Sequence, residues 1–129
     1  YIDATYATCT ERDCRMIGGV SRGGGWAWDI FLDYPQLFGT VAGHSPALFQ
    51  RIPSLLVHRL EGLLQGQRLW LDVGDQDPEL NYLTRVHVAM EQAGIEHEFA
   101  VYPGTHTEEY WESNIPAYLM WYLGGYSPP

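Results

Sequence analysis

Four short apolar runs recur along the 129 residues, and each is followed by a stretch with helical spacing. This alternation limits the possible folds more than any other feature of the chain. Met16 to Val20 predicts a short buried strand. Residues 22–34 predict a helix with Trp26, Ile30 and Phe31 turned inward and Pro35 as its stop. "FGTVAGHS", 38–45, predicts a second strand, "RLWLDV", 68–73, a third, and "HEFAVYPG", 97–104, a fourth. Residues 46–66 predict a loop and then a helix from about Ser54. "PELNYLTRVHVAMEQAG", 78–94, predicts a helix in which Leu80, Leu83, Val86 and Met90 share a face and Gly94 ends the run. The last helix is expected to begin near Ser113 or Asn114, because Pro116 fits best in a first turn. Tyr118, Leu119, Tyr122 and Leu123 would then face inward. Residues 1–8 read as the end of a helix. Strands and helices in this order imply a parallel sheet with helical crossovers on both faces.

Composition narrows the function. Apolar residues make up 46% of the chain and aromatics 14%, enough to build the core of one domain and to argue against disorder. A net charge of −9 disfavours nucleic acid and anionic membrane surfaces as partners. No apolar run approaches the roughly 20 residues that span a bilayer. The opening "YIDATYATC" has neither an initiator Met nor a charged-then-apolar leader, so the chain is expected to be a mature or cut piece. A cytoplasmic and a secreted location both stay open. Cys9 and Cys14, in "CTERDC", have the wrong spacing for a zinc knuckle. They are expected to be thiols near a turn, with a local disulfide as the alternative in a secreted protein.

Gly19-Val20-Ser21-Arg22-Gly23 is a G-x-S-x-G sequence between the first strand and its helix. A serine on such a corner is held in a strained backbone conformation. The positions two before and two after it must be small, because side chains there would collide with strand and helix. The corner exposes the hydroxyl at the top of the sheet and aims the N–H of Arg22 at the place where an oxyanion would form. A phosphate loop is disfavoured, since "GGVSRGGG" lacks both the Lys-Ser/Thr of a P-loop and the spacing of a dinucleotide fingerprint.

A hydroxyl needs a base, and the base needs an orienting acid. On this kind of elbow the chain order is Ser, Asp or Glu, then His, on loops that follow strands. "GDQD" after the third strand supplies Asp75 and Asp77, and "PGTH" after the fourth supplies His106. Spacing alone does not choose between the two carboxylates. Asp72 lies inside a strand and is expected to stay out of the site. His58, His87 and His97 are expected on helices or at the wrong end of the sheet, packed or exposed. His44 follows the second strand and is a candidate to line a pocket. Ser45 lacks a glycine corner and reads as a loop residue.

"GGVSRGG", "YPQLFGTVAGHSPAL", "LWLDVGDQD" and "HEFAVYPGTHTEEYW" together resemble the esterase D-type (putative esterase) family of α/β-hydrolases, specifically its C-terminal half. Feruloyl and other carbohydrate-acyl esterases, enterochelin-esterase-like proteins and mycolyltransferases are similar. The resemblance runs from about residue 15 to the end. It implies a mostly parallel sheet with helices on both faces, and a serine hydrolase needing no cofactor. Position by position it implies Ser21 as nucleophile, His106 as base and Asp77 as the acid, being the last residue of a G-x-x-D loop that begins at Gly74. It implies the Arg22 N–H as half of an oxyanion hole, with Tyr110 and Trp111 near the base loop.

The same resemblance implies what residues 1–129 lack as a single partial domain: the first strands of the sheet and the loop carrying the second oxyanion donor. A partner segment is therefore expected, from the same gene, another chain or another copy. The favoured activity is cleavage of small-molecule carboxylic esters, or transfer of the acyl group to an alcohol. A non-catalytic binding or assembly module is the alternative, favoured by the truncated topology and disfavoured by the intact Ser–Asp–His order.

Overall fold

The computed structural model describes residues 1–49, 52–62 and 66–124. Four strands form one parallel sheet in the order β1-β2-β3-β4: β1 Met16–Val20, β2 Thr40–His44, β3 Arg68–Gly74 and β4 Glu98–Tyr102. Helix α1 covers Ile2–Thr5, α2 Ser21–Asp33, α3 Pro53–Leu60, α4 Leu80–Gln92 and α5 Glu108–Leu123. The expected elements are present, with ends that shift by a few residues. Residues 50, 51 and 63–65 of the expected loop and helix lie outside the described residues.

Alternate strand residues point to opposite faces, and the two faces pack differently. Val41, Leu69, Leu71 and Val73 meet Trp28 and Phe31 of α2, Leu56, Val57 and Leu60 of α3, and Leu83, Val86 and Met90 of α4. Ala42 and Trp70 meet Tyr118, Tyr122 and Trp121 of α5. The three crossover helices thus share one face rather than two, and among the described residues α5 covers the other. The strand order explains this. Each crossover steps to the next strand in the same direction, and crossovers of one hand then fall on one side. Each fully buried Leu, Val or Phe in the larger cluster contributes about 1.5–3 kcal/mol.

Two helices differ from the sequence expectation. In α2, Trp28 and Phe31 are buried, whereas Trp26 is 60% and Ile30 40% exposed. The buried positions 24, 27, 28 and 31 follow one helical stripe, and Trp26 and Ile30 belong to the opposite one. Helix α5 starts at Glu108 and carries Pro116 in its interior. Thr107 caps it by accepting the Tyr110 N–H. Tyr110 and Tyr118, one on each side of Pro116, both donate to Asp72. These tertiary anchors hold the helix through the proline. They also set its rotation, so Tyr118 and Tyr122 face the sheet while Leu119 and Leu123 are exposed.

Cys9 and Cys14 form a disulfide rather than two free thiols. It closes the loop before β1, next to the Gly39 N–H bonds to the Arg12 and Arg15 carbonyls. No helix among the described residues is long and apolar enough to cross a membrane.

Candidate active site

β1 ends at Val20, and Ser21 follows with φ 48°. A non-glycine residue in this left-handed region carries about 1–3 kcal/mol of strain. Close packing holds it there. A β-carbon on Gly19 would lie 2.6 Å from the Gly23 carbonyl carbon, and one on Gly24 would lie 2.6 Å from the Gly19 oxygen. The Ala47 N–H donates to the Ser21 carbonyl at 2.9 Å, and Pro46 seats against Gly24 and Gly43. A β-carbon on Gly23 would meet nothing within 4 Å. Gly19 is therefore the tight end of the motif and Gly23 is not; beyond it Gly24 and Gly25 are tight, a β-carbon on Gly25 running into the Ala47 carbonyl oxygen. Arg22 stands in the first turn of α2, where backbone N–H groups lack helical partners and attract negative charge.

The loops after β3 and β4 are fastened to each other above the sheet. Gln76 N–H donates to Gly104 O, Asp75 N–H to Tyr102 O, and Gly104 N–H to Asp75 Oδ1. Gly104 has φ +140°, and its lack of a β-carbon spares it a clash with Tyr110. This pairing brings His106 to Ser21 and Asp77 to His106. Ser21 Oγ lies 2.7 Å from His106 Nε2, and His106 Nδ1 lies 2.8 Å from Asp77 Oδ2. The Asp77 side chain is fully buried and its other oxygen accepts the Glu79 N–H. A carboxylate beside Nδ1 keeps the proton on that nitrogen, which leaves the Nε2 lone pair facing the serine hydroxyl. Asp75 does not approach His106; it is an exposed loop tie.

Trp111 stands edge-to-face against His106, with ring centres 5.0 Å apart. Its indole N–H donates to the His44 carbonyl at 3.1 Å. His44 does not line an open pocket. It is 4% exposed, and its Nδ1 lies 2.5 Å from Asp72 Oδ2. Asp72 is wholly buried and accepts the Tyr110 and Tyr118 hydroxyls. Burial, and next the Asp72 charge, push the hydroxyls of Tyr110, Tyr118 and Tyr122 well above the usual tyrosine range. Sequence reasoning missed this cluster. Its one signal is a carboxylate at a sheet-interior position of "LWLDV".

The remaining candidates lie elsewhere. His58 is exposed beside Glu61. His87 and His97 bond to each other at 2.8 Å. Ser45 is buried with φ 48°, and its hydroxyl has no hydrogen-bond partner among the described residues. No group of three or more His, Cys, Asp or Glu among the described residues is arranged to hold a metal ion.

The family described as "Putative esterase" matches residues 1–122. No curated protein matches the chain. Among solved structures, a ferulic acid esterase superposes with a TM-score of 0.78 at 23% identity, over 96% of this chain and 56% of that one. The S-formylglutathione hydrolase of Staphylococcus aureus superposes at 0.81 with 18% identity, over 94% and 55%. The enterobactin esterase of Shigella flexneri superposes at 0.70 with 18% identity, over 90% and 33%. The sheet and helices are those of an α/β-hydrolase fold, and the chain spans little more than half the length of the first two structures.

Proposed function

The chain belongs to the Putative esterase family, and from that premise we propose that it carries the reacting groups of a serine hydrolase acting on carboxylic esters. The observation that carries this reading is the unbroken chain of hydrogen bonds from Ser21 through His106 to Asp77. In the proposed reaction Ser21 Oγ attacks the acyl carbon as His106 Nε2 takes its proton. The buried Asp77 carboxylate holds the imidazole in the required tautomer and stabilises the imidazolium. His106 then protonates the departing alcohol, leaving an acyl group on Ser21. Water, deprotonated by His106, attacks that acyl group and regenerates the serine. The Arg22 N–H is the proposed donor to the oxyanion in both halves.

A second oxyanion donor is expected from a segment beyond β1, since one missing donor costs about 10²–10³ in rate. In the proposed working enzyme such a segment also pairs the edge of β1 that has no strand partner among the described residues. The substrate panel starts with a small activated ester, a feruloyl ester and an S-acyl thioester, the last two suggested by the names of the similar structures. Ester turnover that disappears in Ser21→Ala supports the reading. Turnover retained in that variant contradicts it.

A further inference from the structure

The site accounts for Ser21, His106 and Asp77, but not for a buried carboxylate inside β3, the strand that leads into the Asp77 loop. Asp72 is fully buried, and its bonding partners among the described residues include no Lys or Arg. Its charge is met by three side-chain donors: His44 from β2, and Tyr110 and Tyr118 from α5. A buried ionic cluster of this kind is a poor source of stability compared with an apolar core. What it does well is fix geometry.

The geometry it fixes is that of the His106 loop. Tyr110 and Trp111 are consecutive residues in the first turn of α5, directly after the loop that carries His106. Tyr110 bonds to the Asp72 carboxylate at 2.7 Å, and Trp111 bonds to the His44 carbonyl at 3.1 Å. His44 is in turn locked at both ring nitrogens, to Asp72 and to the Tyr122 hydroxyl, and its ring stacks on Tyr118. Two bonds from adjacent residues to one rigid pair set the rotation and the height of this turn. The Trp111 indole then meets the His106 ring edge-to-face. His44 also stands in register with Val20, the residue before the serine.

We propose that the buried His44–Asp72 pair is a positioning element that aims His106 at Ser21 through Tyr110 and Trp111. The proposal rests on the reading of Ser21 and His106 as reacting groups. It predicts that loosening the first turn of α5 slows the chemical step while leaving substrate binding intact. A displacement of a reacting group by about 1 Å can cost on the order of 10²-fold.

The test compares three deletions in the enzyme that contains this chain. Trp111→Phe keeps an aromatic ring and removes the N–H. Tyr110→Phe removes the bond to Asp72 next to it. Tyr118→Phe removes a bond to the same carboxylate oxygen, two turns further along α5. For each variant, kcat, KM and the thermal midpoint are measured, together with the proton NMR signal of the His106–Asp77 hydrogen bond. The proposal expects Trp111→Phe and Tyr110→Phe to lower kcat by roughly tenfold or more at a KM within about twofold, and to shift or broaden that signal. Tyr118→Phe is expected to cost less than about threefold for a similar loss of stability. Rate losses that simply follow the thermal midpoints across all three variants would overturn it, as would an unmoved His106 signal. If the parent enzyme shows no Ser21-dependent turnover, the functional reading fails and the NMR signal decides alone. A signal displaced by Trp111→Phe and Tyr110→Phe supports the positioning role, and an unchanged one overturns it.

Discussion

The backbone of Gly23 passes so close to Gly19 that a β-carbon on Gly19 would sit 2.6 Å from the Gly23 carbonyl carbon, yet a β-carbon on Gly23 meets nothing within 4 Å. The two ends of G-x-S-x-G are therefore unequal. Gly19→Ala forces backbone apart at the elbow and is expected to destabilise by about 1–3 kcal/mol and to disturb Ser21. Gly24→Ala, aimed at the Gly19 oxygen and Pro46, is expected to do the same. Gly23→Ala lies in the first turn of α2 with room for its methyl, and is expected to be neutral or to stabilise by up to about 1 kcal/mol. Thermal denaturation of the three variants checks the order. A Gly23 variant as damaged as Gly19→Ala would contradict it.

Asp77 and Asp75 offer a second asymmetry. Asp77→Asn replaces the acceptor of the His106 Nδ1–H and permits the wrong tautomer. It is expected to lower kcat on the order of 10³–10⁴-fold with little change in KM. Asp75→Asn keeps an oxygen for the Gly104 N–H and is expected to cost less than about tenfold. Steady-state kinetics of both variants on one ester decides the matter. Equal losses would argue against Asp77 as the orienting acid.

The buried tyrosines give a signature at high pH. Burial and then the Asp72 charge raise Tyr110, Tyr118 and Tyr122 above the ordinary value of 10.0. Above about pH 10 the unfolded chain gives up these protons and the folded chain keeps them. The unfolded state then binds fewer protons, so stability falls as pH rises past that point and is unaffected by these groups well below it. Each tyrosine contributes up to about 1.4 kcal/mol per pH unit, and the three together about 4. Tyrosinate absorbance from these residues is expected to appear in one cooperative step with unfolding. Gradual titration of Tyr110, Tyr118 and Tyr122 themselves near the ordinary tyrosine value in folded protein, read from Tyr→Phe difference spectra, would contradict their burial.

The parts of this structure legible in the sequence are those governed by local chemistry. Strand and helix alternation followed from hydrophobic period, and the elbow followed from glycines placed around one serine. The face of each helix was harder. Trp26 and Ile30 share an apolar stripe that matches an inward face as well as Trp28 and Phe31 do, and only the sheet's position selects between them. The sequence predicts a later start for α5 because the cost of Pro116 is local, whereas the bonds that override it run from Tyr110 and Tyr118 to a strand residue about 40 positions away. The choice of Asp77 over Asp75 came from resemblance; the observed difference is a turn geometry that spacing does not encode. The Cys9–Cys14 bond depends on the three-dimensional path of the loop, and two cysteines five residues apart fit either state.

Trp26 and Ile30 of α2, Tyr34 and Leu37 just after it, and Ile115, Leu119, Met120 and Leu123 of α5 are exposed. Met16, Gly18, Leu119, Tyr122 and Leu123 border a groove of ≈ 360 Å³ beside β1. Among the described residues β1 pairs only with β2, and a strand edge left unpaired beside apolar side chains invites pairing. The chain expressed alone is expected to self-associate as its concentration rises, with Leu119→Lys and Met120→Lys reducing the effect. A stable, monodisperse monomer at all concentrations in sedimentation would contradict the expected partner segment.

The most direct test of the central claim is intact mass spectrometry after exposure to a fluorophosphonate serine probe. A single adduct is expected on the natural chain, mapped to Ser21, and none on Ser21→Ala. A folded sample of the enzyme that takes up no probe, or that is labelled equally in Ser21→Ala, would contradict the assignment of Ser21 as the nucleophile.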